Sequence, residues 1–321
     1  MKSIGKVIVL IGICVFLGIG WSWSRSLQAK ATIKAIDDDG NPIVGMPVIA
    51  GFYSGDISKG VTDTNGMFVA KVKANCGKMG FALLEKGFYD TRKECIFTNY
   101  LDHHCLPWNP VVTTIVRRII NPIPMVAKKV GTKINKLPQS FAYDLLVGDW
   151  VNPEGKGIVS DFVFKVDGFA EGQYKYHAVL SLSFQSNSDG VVPFTYPNRR
   201  GYDDMPMGSS LIIPHQAPET GYVSSNQWQV SCIKSQNTSD YYKTNDCYRP
   251  IVFRFRIRSS TNELGIVTNA YYGQLRKINF FPSGTFYPNG EKCEGHLSFT
   301  YYLNPTPNDR NLEFDPKQNL Y

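Results

Sequence analysis

The chain has 321 residues, of which 43% are hydrophobic, 13% aromatic and 19% charged, a composition that excludes a disordered protein and suits an ordered, β-rich one. Its formal charge is +7, but Lys2, Lys6 and Arg25 fall in an N-terminal stretch without acids, so 31 basic and 27 acidic residues leave +4 beyond it. So mild and dispersed an excess gives no argument for nucleic acid, whose binders concentrate basic charge on one face.

In chain order, Lys2 and Lys6 precede residues 7–21, an uninterrupted apolar or glycine run. Its length fits a signal-peptide core and falls short of the roughly 20 residues that span a bilayer comfortably. Trp21 and Trp23 suit a membrane interface that would lengthen the span. Small residues at Ser22/Ser24, Ser24/Ser26 and Ala29/Ala31 offer scattered cleavage sites, and Ile13 before Cys14 argues against lipidation. Residues 1–29 are read as a signal peptide or an uncleaved N-terminal membrane anchor formed by a hydrophobic helix. Both remain open. Either one places the rest of the chain outside the cytoplasm: periplasmic, secreted or at the cell surface.

Period-2 patterning dominates residues 30–100. Residues 32–36 alternate, Asp38-Asp39-Gly40-Asn41 turns, and residues 48–52 continue as a strand. Thr64-Asn65-Gly66 is a hairpin signal, because Asn-Gly tolerates the positive φ of tight turns. After it Phe68, Ala70 and Val72 share one face, with Lys71 and Lys73 on the other. Residues 81–84 and 95–97 add two short strands, for a sandwich of about seven.

The residues Asp39-Gly40-Asn41-Pro42-Ile43-Val44-Gly45-Met46-Pro47-Val48, Thr62-Asp63-Thr64-Asn65-Gly66-Met67-Phe68 and Lys86-Gly87-Phe88 carry a resemblance. Over residues 31–98 the chain resembles the carboxypeptidase regulatory-like domain, a transthyretin-like β-sandwich with a carbohydrate-binding-like fold. The resemblance implies an accessory module of exported proteins. It implies no peptidase, since no HExxH-type zinc pattern accompanies it.

Residues 101–140, punctuated by proline, read as a connector in which residues 111–120 form one strand between domains. Residues 141–321 read as a larger β-rich domain of sandwich or jelly-roll type, with strands over 158–166, 177–184, 251–257, 264–272 and 296–302 and a loop-rich stretch over 185–247. The fold class is therefore all-β.

Outside Cys14, six cysteines remain, an even number that suits disulfides in an oxidising compartment. Cys232 with Cys247, flanking a polar loop, is the first expected pair, and closing that loop would contribute roughly 3 kcal/mol. Cys76 with Cys95 is the next, and Cys105 with Cys293 follows by elimination. Reduced, buried thiols are the rival reading.

Several constellations suggest chemistry. Asp102-His103-His104-Cys105 spells the palmitoyltransferase motif, but the chain lacks the several membrane spans and the Cys/His-rich stretch such enzymes need; a loop with one disulfide cysteine is preferred to a metal site. Asp37-x-Asp39-x-Asn41 begins like a calcium loop, yet Pro42 and Val48 stand where Gly and Glu belong, which favours a hairpin turn. Ser231-Cys232-Ile233-Lys234 matches S-x-x-K of penicillin-binding enzymes in the wrong context, a polar loop instead of a helix start. Lys34, Glu85 and Asn99 sit in roughly the elements where related adhesin repeats form a Lys–Asn isopeptide bond. Arg254, Arg256 and Arg258 alternate with apolar residues, so a strand would align three guanidiniums at spacings of about 7 Å, suited to carboxylates, sulfates or phosphates. Such a row is also an ordinary solvated face paired with acids. Trp108, Trp150, Trp228 and the pairs Tyr241/Tyr242, Tyr271/Tyr272 and Tyr301/Tyr302 offer flat faces for sugars, though adjacent tyrosines on a strand point to opposite sides. Asp144, Asp149, Glu154 and Asp161 could include a glycosidase-like acid pair.

Together these point to an exported, non-catalytic binding or structural protein of the cell envelope. Arg254, Arg256, Arg258, Trp228, Tyr241 and Tyr242 are its candidate binding residues. A polysaccharide or another envelope protein is the candidate partner, with the membrane reached through an uncleaved N-terminus, and no cofactor or metal is implied. The alternative is a secreted carbohydrate-active hydrolase with its site in the 185–247 loops.

Overall fold

The computed structural model describes residues 27–281 and 295–321, except 54, 74, 75, 136, 173, 174, 197, 200, 201, 235–240 and 250; for 170–172, 198, 199, 202–206, 234, 241, 242, 248 and 281 it describes the backbone course alone. The expected leader and Cys293 thus lie outside the described residues, apart from positions 27–29. The chain divides into two units, one ending at Arg117 and one starting at Arg118. Both are built of strands.

The first unit holds nine strands: β1 (Gln28–Ile36), β2 (Pro47–Phe52), β3 (Ile57–Val61), β4 (Met67–Lys73), β5 (Lys78–Leu83), β6 (Thr91–Ile96), β7 (Asn99–Leu101), β8 (His104–Leu106) and β9 (Val111–Ile115). One sheet runs β4-β1-β8-β7, with β9 also on β1; the other runs β3-β2-β5-β6. In β1 Ala29, Ala31, Ile33 and Ala35 alternate into the core and are fully buried, and small side chains there admit Met79, Phe81 and Leu83 from the facing sheet. Ala70 and Val72 face the same core, with Phe68 packed against it, as their alternation with lysines predicts.

Two loops of this unit share one device. The Asp37 carboxylate accepts the backbone N–H of Asp39 at 3.0 Å and of Asn41 at 2.8 Å. The Asp63 carboxylate does the same for Asn65 at 2.9 Å and Met67 at 2.8 Å. These are Asx turns. The calcium-like spacing is spent on backbone amides, which hold the Asp37 carboxyl below its ordinary range along with the Asn41 side-chain amide, the largest contributor. Gly66 has φ +71°, and a Cβ there would meet the Ala35 carbonyl oxygen at 2.5 Å, so this turn needs glycine.

The second unit holds β10 (Ile123–Ile134), β11 (Gln139–Asp144), β12 (Asp149–Trp150), β13 (Phe162–Gly172), β14 (Lys175–Ser183), β15 (Gly190–Thr195), β16 (Asn198–Arg199), β17 (Tyr202–Pro206), β18 (Ser225–Lys234), β19 (Tyr241–Asn245), a single helical turn at Asp246–Tyr248, β20 (Ile251–Thr261), β21 (Val267–Phe281), β22 (Gly295–Leu303) and β23 (Phe314–Asn319). A six-stranded sheet β15-β20-β21-β22-β10-β23 packs on a second, β12-β11-β13-β14-β18-β19, around an aromatic core containing Tyr143, Trp150, Phe162, Phe164, Phe255 and Phe299. The opposite face of the first sheet carries its own smaller core, with Ile212 and Ile213 set against Val252 and Tyr272.

Several sequence expectations are corrected here. Residues 101–140 are no connector: β7, β8 and β9 complete the first sandwich, while β10 and β11 begin the second. Strand β1 starts at Gln28, inside the range read as leader, because Ala29 is already a core residue. The stretch 185–247 is loop-rich, as over 207–224, but it also holds strands. Its polar alternation hides β18, which turns Trp228, Val230 and Cys232 inward.

The cysteine pairing also differs. Cys76 is bonded to Cys105, while Cys95, Cys232 and Cys247 are free thiols. Cys95 lies opposite Met79 on the β5–β6 ladder, while Cys76 precedes β5 and is taken by Cys105. Cys232 lies opposite Lys243 on the β18–β19 ladder, and Cys247 lies past its end in the helical turn. With Cys105 held by Cys76, the pairing with Cys293 by elimination falls as well.

Candidate functional site

The outer face of β20, β21 and β22 is the place where chemistry collects. Register sets Arg254 beside Gln274 and Gln274 beside Tyr302, so polar and aromatic groups stand side by side across three strands. At one end of this face opens a cavity of about 430 Å³, lined in part by Trp228, Asp246, Cys247, Arg249, Arg276 and Tyr302. Volumes of this size are typical of small-molecule sites. Apolar walls come from Ile212, Val252, Phe253 and Ile278.

Arg276 is the unusual member. Its Nη2 donates to Gln274 Oε1, and its guanidinium lies 4.8 Å from the Tyr302 ring centroid. Its Nε is buried with no hydrogen-bond partner among the described residues. Burial pulls its pKa down, opposed only by the Tyr302 and Tyr196 phenols. Arg254, on the same face, likewise has a buried Nε without a partner, lies 5.3 Å from the Phe194 centroid and is depressed by burial. Gln274 offers the two arginines only its Oε1 as an acceptor; its Nε2 is a donor and is committed to the Leu312 carbonyl at 2.8 Å.

The cavity's acid is spoken for. Asp246 pairs with Arg249 at 2.8 Å and accepts the Gln229 amide at 3.1 Å. Its neighbour Cys247 is a poor nucleophile: burial pushes the thiol up to about 11.

The arginine row is divided by a bulge. Arg256 stays on the outer face, where its Nε donates to the Ser188 carbonyl at 2.8 Å and its Nη1 to the Glu219 carbonyl at 3.2 Å, above the Tyr222 ring at 4.3 Å. Arg258 has φ +52°, and the register slips between Ile257 and Ser260. The Asp189 carboxylate catches the freed amides of Arg258 at 3.0 Å and Ser259 at 2.9 Å. The slip sends the Arg258 side chain to two buried acids: Nε to Asp161 Oδ1 at 2.7 Å, Nη2 to Asp161 Oδ2 at 2.8 Å and Nη2 to Asp144 Oδ1 at 2.7 Å.

Asp144 and Asp161 are thus the acid pair that the structure brings together. Asp144 also accepts the amides of Leu146, Val147, Ile158 and Val159 at 2.9 to 3.1 Å, and Asp161 accepts that of Leu145 at 2.8 Å. This explains why residues 158–161 do not start a strand, as their apolar character predicts: two of those amides serve Asp144 instead of the ladder. Burial raises the Asp144 carboxyl, but the amides of Val147, Val159 and Ile158 together with Arg258 outweigh it and set it below its ordinary range. Asp161, with fewer amides, is lifted by burial despite Arg258. Asp149 is a loop staple, accepting the Trp150 amide at 2.8 Å and that of Lys156 at 3.0 Å, and Glu154 is exposed.

The remaining candidates are placed as follows. Trp228 is only 5% exposed and packs edge-on against Phe253, so it forms a wall of the cavity and offers no open stacking face. Trp150 is a core residue; Trp108 is partly exposed, edge to face with His104 at 4.2 Å. Tyr241 and Tyr242 lie on edge strand β19 opposite Lys234 and Ile233, and their side chains are outside the described residues. Tyr301 enters the core and Tyr302 the outer face, as alternation requires. Asp102 and His103, with φ +46° and +66°, form the two-residue turn between β7 and β8, and Cys105 is spent in the disulfide. Ser231 and Lys234 sit on strand β18, the wrong element for S-x-x-K. Glu85 accepts its neighbour's amide, that of Lys86, at 3.0 Å, and Asn99 caps Tyr100 at 2.8 Å on edge strand β7. Sequence reading missed Arg276 and Asp246 as site residues, offered Tyr302 only among the tyrosine pairs suited to sugars, and took Cys247 only for a disulfide partner. The one signal was the three-step interval between the inward-facing Leu275 and Ile278, which marks a bulge at Lys277.

The chain matches no protein-family model and no curated protein sequence. Among solved structures it is similar to a DUF3823 family protein from Parabacteroides merdae, at 7% identity over 85% of this chain and 96% of that one, with a TM-score of 0.21. It is also similar to BcpA, the major pilin subunit of Bacillus cereus, at 10% identity over 84% of this chain and 95% of that one, with a TM-score of 0.23. A Streptococcal ancillary pilin is matched at 12% identity over 69% of this chain and 60% of that one, with a TM-score of 0.20. Likenesses at these values carry no family and no function.

Proposed function

We propose that the protein works outside the cytoplasm as a non-catalytic binding or structural component of the cell envelope, with another envelope protein as its partner. The observation that carries the non-catalytic reading is the acid pair of the second unit: Asp144 and Asp161 are both buried and both bonded to Arg258. Carboxylates held this way lack the free lone pairs and the approach to substrate that acid–base catalysis requires. The Cys76–Cys105 disulfide supports the address, because such bonds persist in oxidising compartments. The two-sheet sandwich and paired Asx turns support reading residues 31–98 as a carboxypeptidase regulatory-like, transthyretin-like module. Polysaccharide draws no support from Trp150 and Trp228, whose faces are buried. The hydrolase alternative needs a carboxylate pair facing a cavity, whereas the cavity in hand presents Asp246 already paired with Arg249.

Cell fractionation of the full chain followed by non-reducing peptide mapping tests the address. The expected result is an extracytoplasmic protein with Cys76 joined to Cys105; a cytoplasmic protein with both thiols free overturns it. Incubation with chromogenic glycosides and esters is expected to give no turnover above that of an Asp144→Asn variant. Turnover that this variant loses would restore the hydrolase.

A further inference from the structure

We infer that the cavity beside Arg276 binds a small organic carboxylate with an apolar body. This rests on the binding half of the reading above and gives it a site and a ligand class. A guanidinium taken out of water is costly unless an anion compensates it. Two other arginines of this sheet are visibly compensated: Arg258 has Asp144 and Asp161, and Arg256 has two backbone carbonyls. Arg276 has one neutral amide oxygen and an aromatic ring, with a buried Nε left over. Arg254, its neighbour across Gln274, adds a second positive charge without an acid among the described residues. The nearest cavity acid, Asp246, is neutralised by Arg249 and so does not repel an incoming anion.

The walls decide the rest of the ligand. Ile212, Val252, Phe253 and Ile278 give an apolar lining, and Tyr302 a flat one, next to the guanidinium. A planar fork matches a carboxylate in two parallel bonds, which a spherical ammonium would not. The cavity of about 430 Å³ excludes a folded partner and admits a single ring or short chain. The site is thus an anion hole with an apolar vestibule, contained within the second unit.

Benzoate is a suitable probe, with benzyl alcohol as its neutral counterpart of the same shape. Saturation-transfer NMR on the full chain is expected to show benzoate bound and benzyl alcohol at least tenfold weaker. Arg276→Met is expected to weaken benzoate at least tenfold while the far-UV spectrum is retained, and Arg256→Lys, away from the cavity wall, to leave it within twofold. Equal binding of the two probes overturns the inference, as does benzoate binding that survives Arg276→Met or the absence of any benzoate binding. These results are separable from the proposed function: turnover of a bound acid or its ester would sink the non-catalytic reading and leave the site standing, and a lost site would leave the extracytoplasmic address untouched.

Discussion

Arg258 and Arg276 stand on adjacent strands of one sheet, each beside a bulge, and they have opposite surroundings. Arg258 reaches two acids whose side chains are each 1% exposed, and although burial lowers its pKa, the bond to Asp161 and the charges of both acids outweigh that and raise it. Arg276 reaches a neutral amide and a ring, and burial wins. Residue type and sheet are the same, so the partner decides the role. A guanidinium surrounded by ionised carboxylates is fixed framework, and one desolvated without them is a site with binding energy to offer.

The largest effect that would break the contrast is at Arg258. Arg258→Gln leaves two buried carboxylates uncompensated, and a loss of about 3–5 kcal/mol is expected in urea denaturation at neutral pH. The pH dependence sharpens it. In the wild type the depressed Asp144 contributes stability above its unfolded pKa and loses it as pH falls through the folded value, while the raised Asp161 runs the other way. Without the guanidinium Asp144 keeps the backbone amides that lower it most, while Asp161 loses the bond that lowers it most and is raised further. The contribution of a raised carboxyl is present in acid and lost as pH rises. The deficit of the variant should therefore shrink as pH falls from neutral through the range in which the raised Asp161 carboxyl titrates. A cost below about 1 kcal/mol, the scale of an exposed ion pair, or a deficit that does not change with pH, would make the node ordinary surface.

Arg256 is the intermediate case, compensated by carbonyls instead of carboxylates. Removing its bonds to Ser188 and Glu219 in Arg256→Ala is expected to cost about 2 kcal/mol, the scale of hydrogen bonds to a charged group. Hydrogen exchange should quicken near Tyr222, whose ring the guanidinium covers. An effect as large as that at Arg258 would mean that carbonyls compensate a buried charge as fully as acids do.

These three arginines also show how far the sequence could be read. The strand over 251–257 and its alternation of Phe253, Phe255 and Ile257 with arginines are legible, because burial on one face imposes a period of two. That Arg254 and Arg256 share a face follows. The departure of Arg258 does not, because a single extra residue in a bulge reverses the side of everything after it, and its cause is Asp189, 69 positions earlier in sequence. Long-range register hid the rest of the site in the same way: Arg276 matters because Gln274, Tyr302 and Asp246 come together from β21, β22 and the turn after β19. The disulfide failed for a related reason. Loop length suggested Cys232 with Cys247, whereas the ladder pairs Cys232 with Lys243 and leaves Cys247 beyond its end in a helical turn.

The smallest effect is the most decisive for the comparison. Arg276→Met keeps the side-chain bulk beside Tyr302 and deletes a half-buried charge that has one hydrogen bond, a buried Nε and no acid among the described residues. Stability is expected to stay within about 1 kcal/mol of the wild type or to rise, since replacing poorly compensated buried charge by apolar volume is often neutral or stabilising. Urea denaturation at neutral pH, read beside Arg258→Gln, gives the answer. A loss approaching that of Arg258→Gln would show Arg276 to be framework, and the difference between the two arginines would vanish. A near-zero change alongside a severe one at Arg258 would mean the sheet spends one guanidinium on its own fold and holds the other for something outside it.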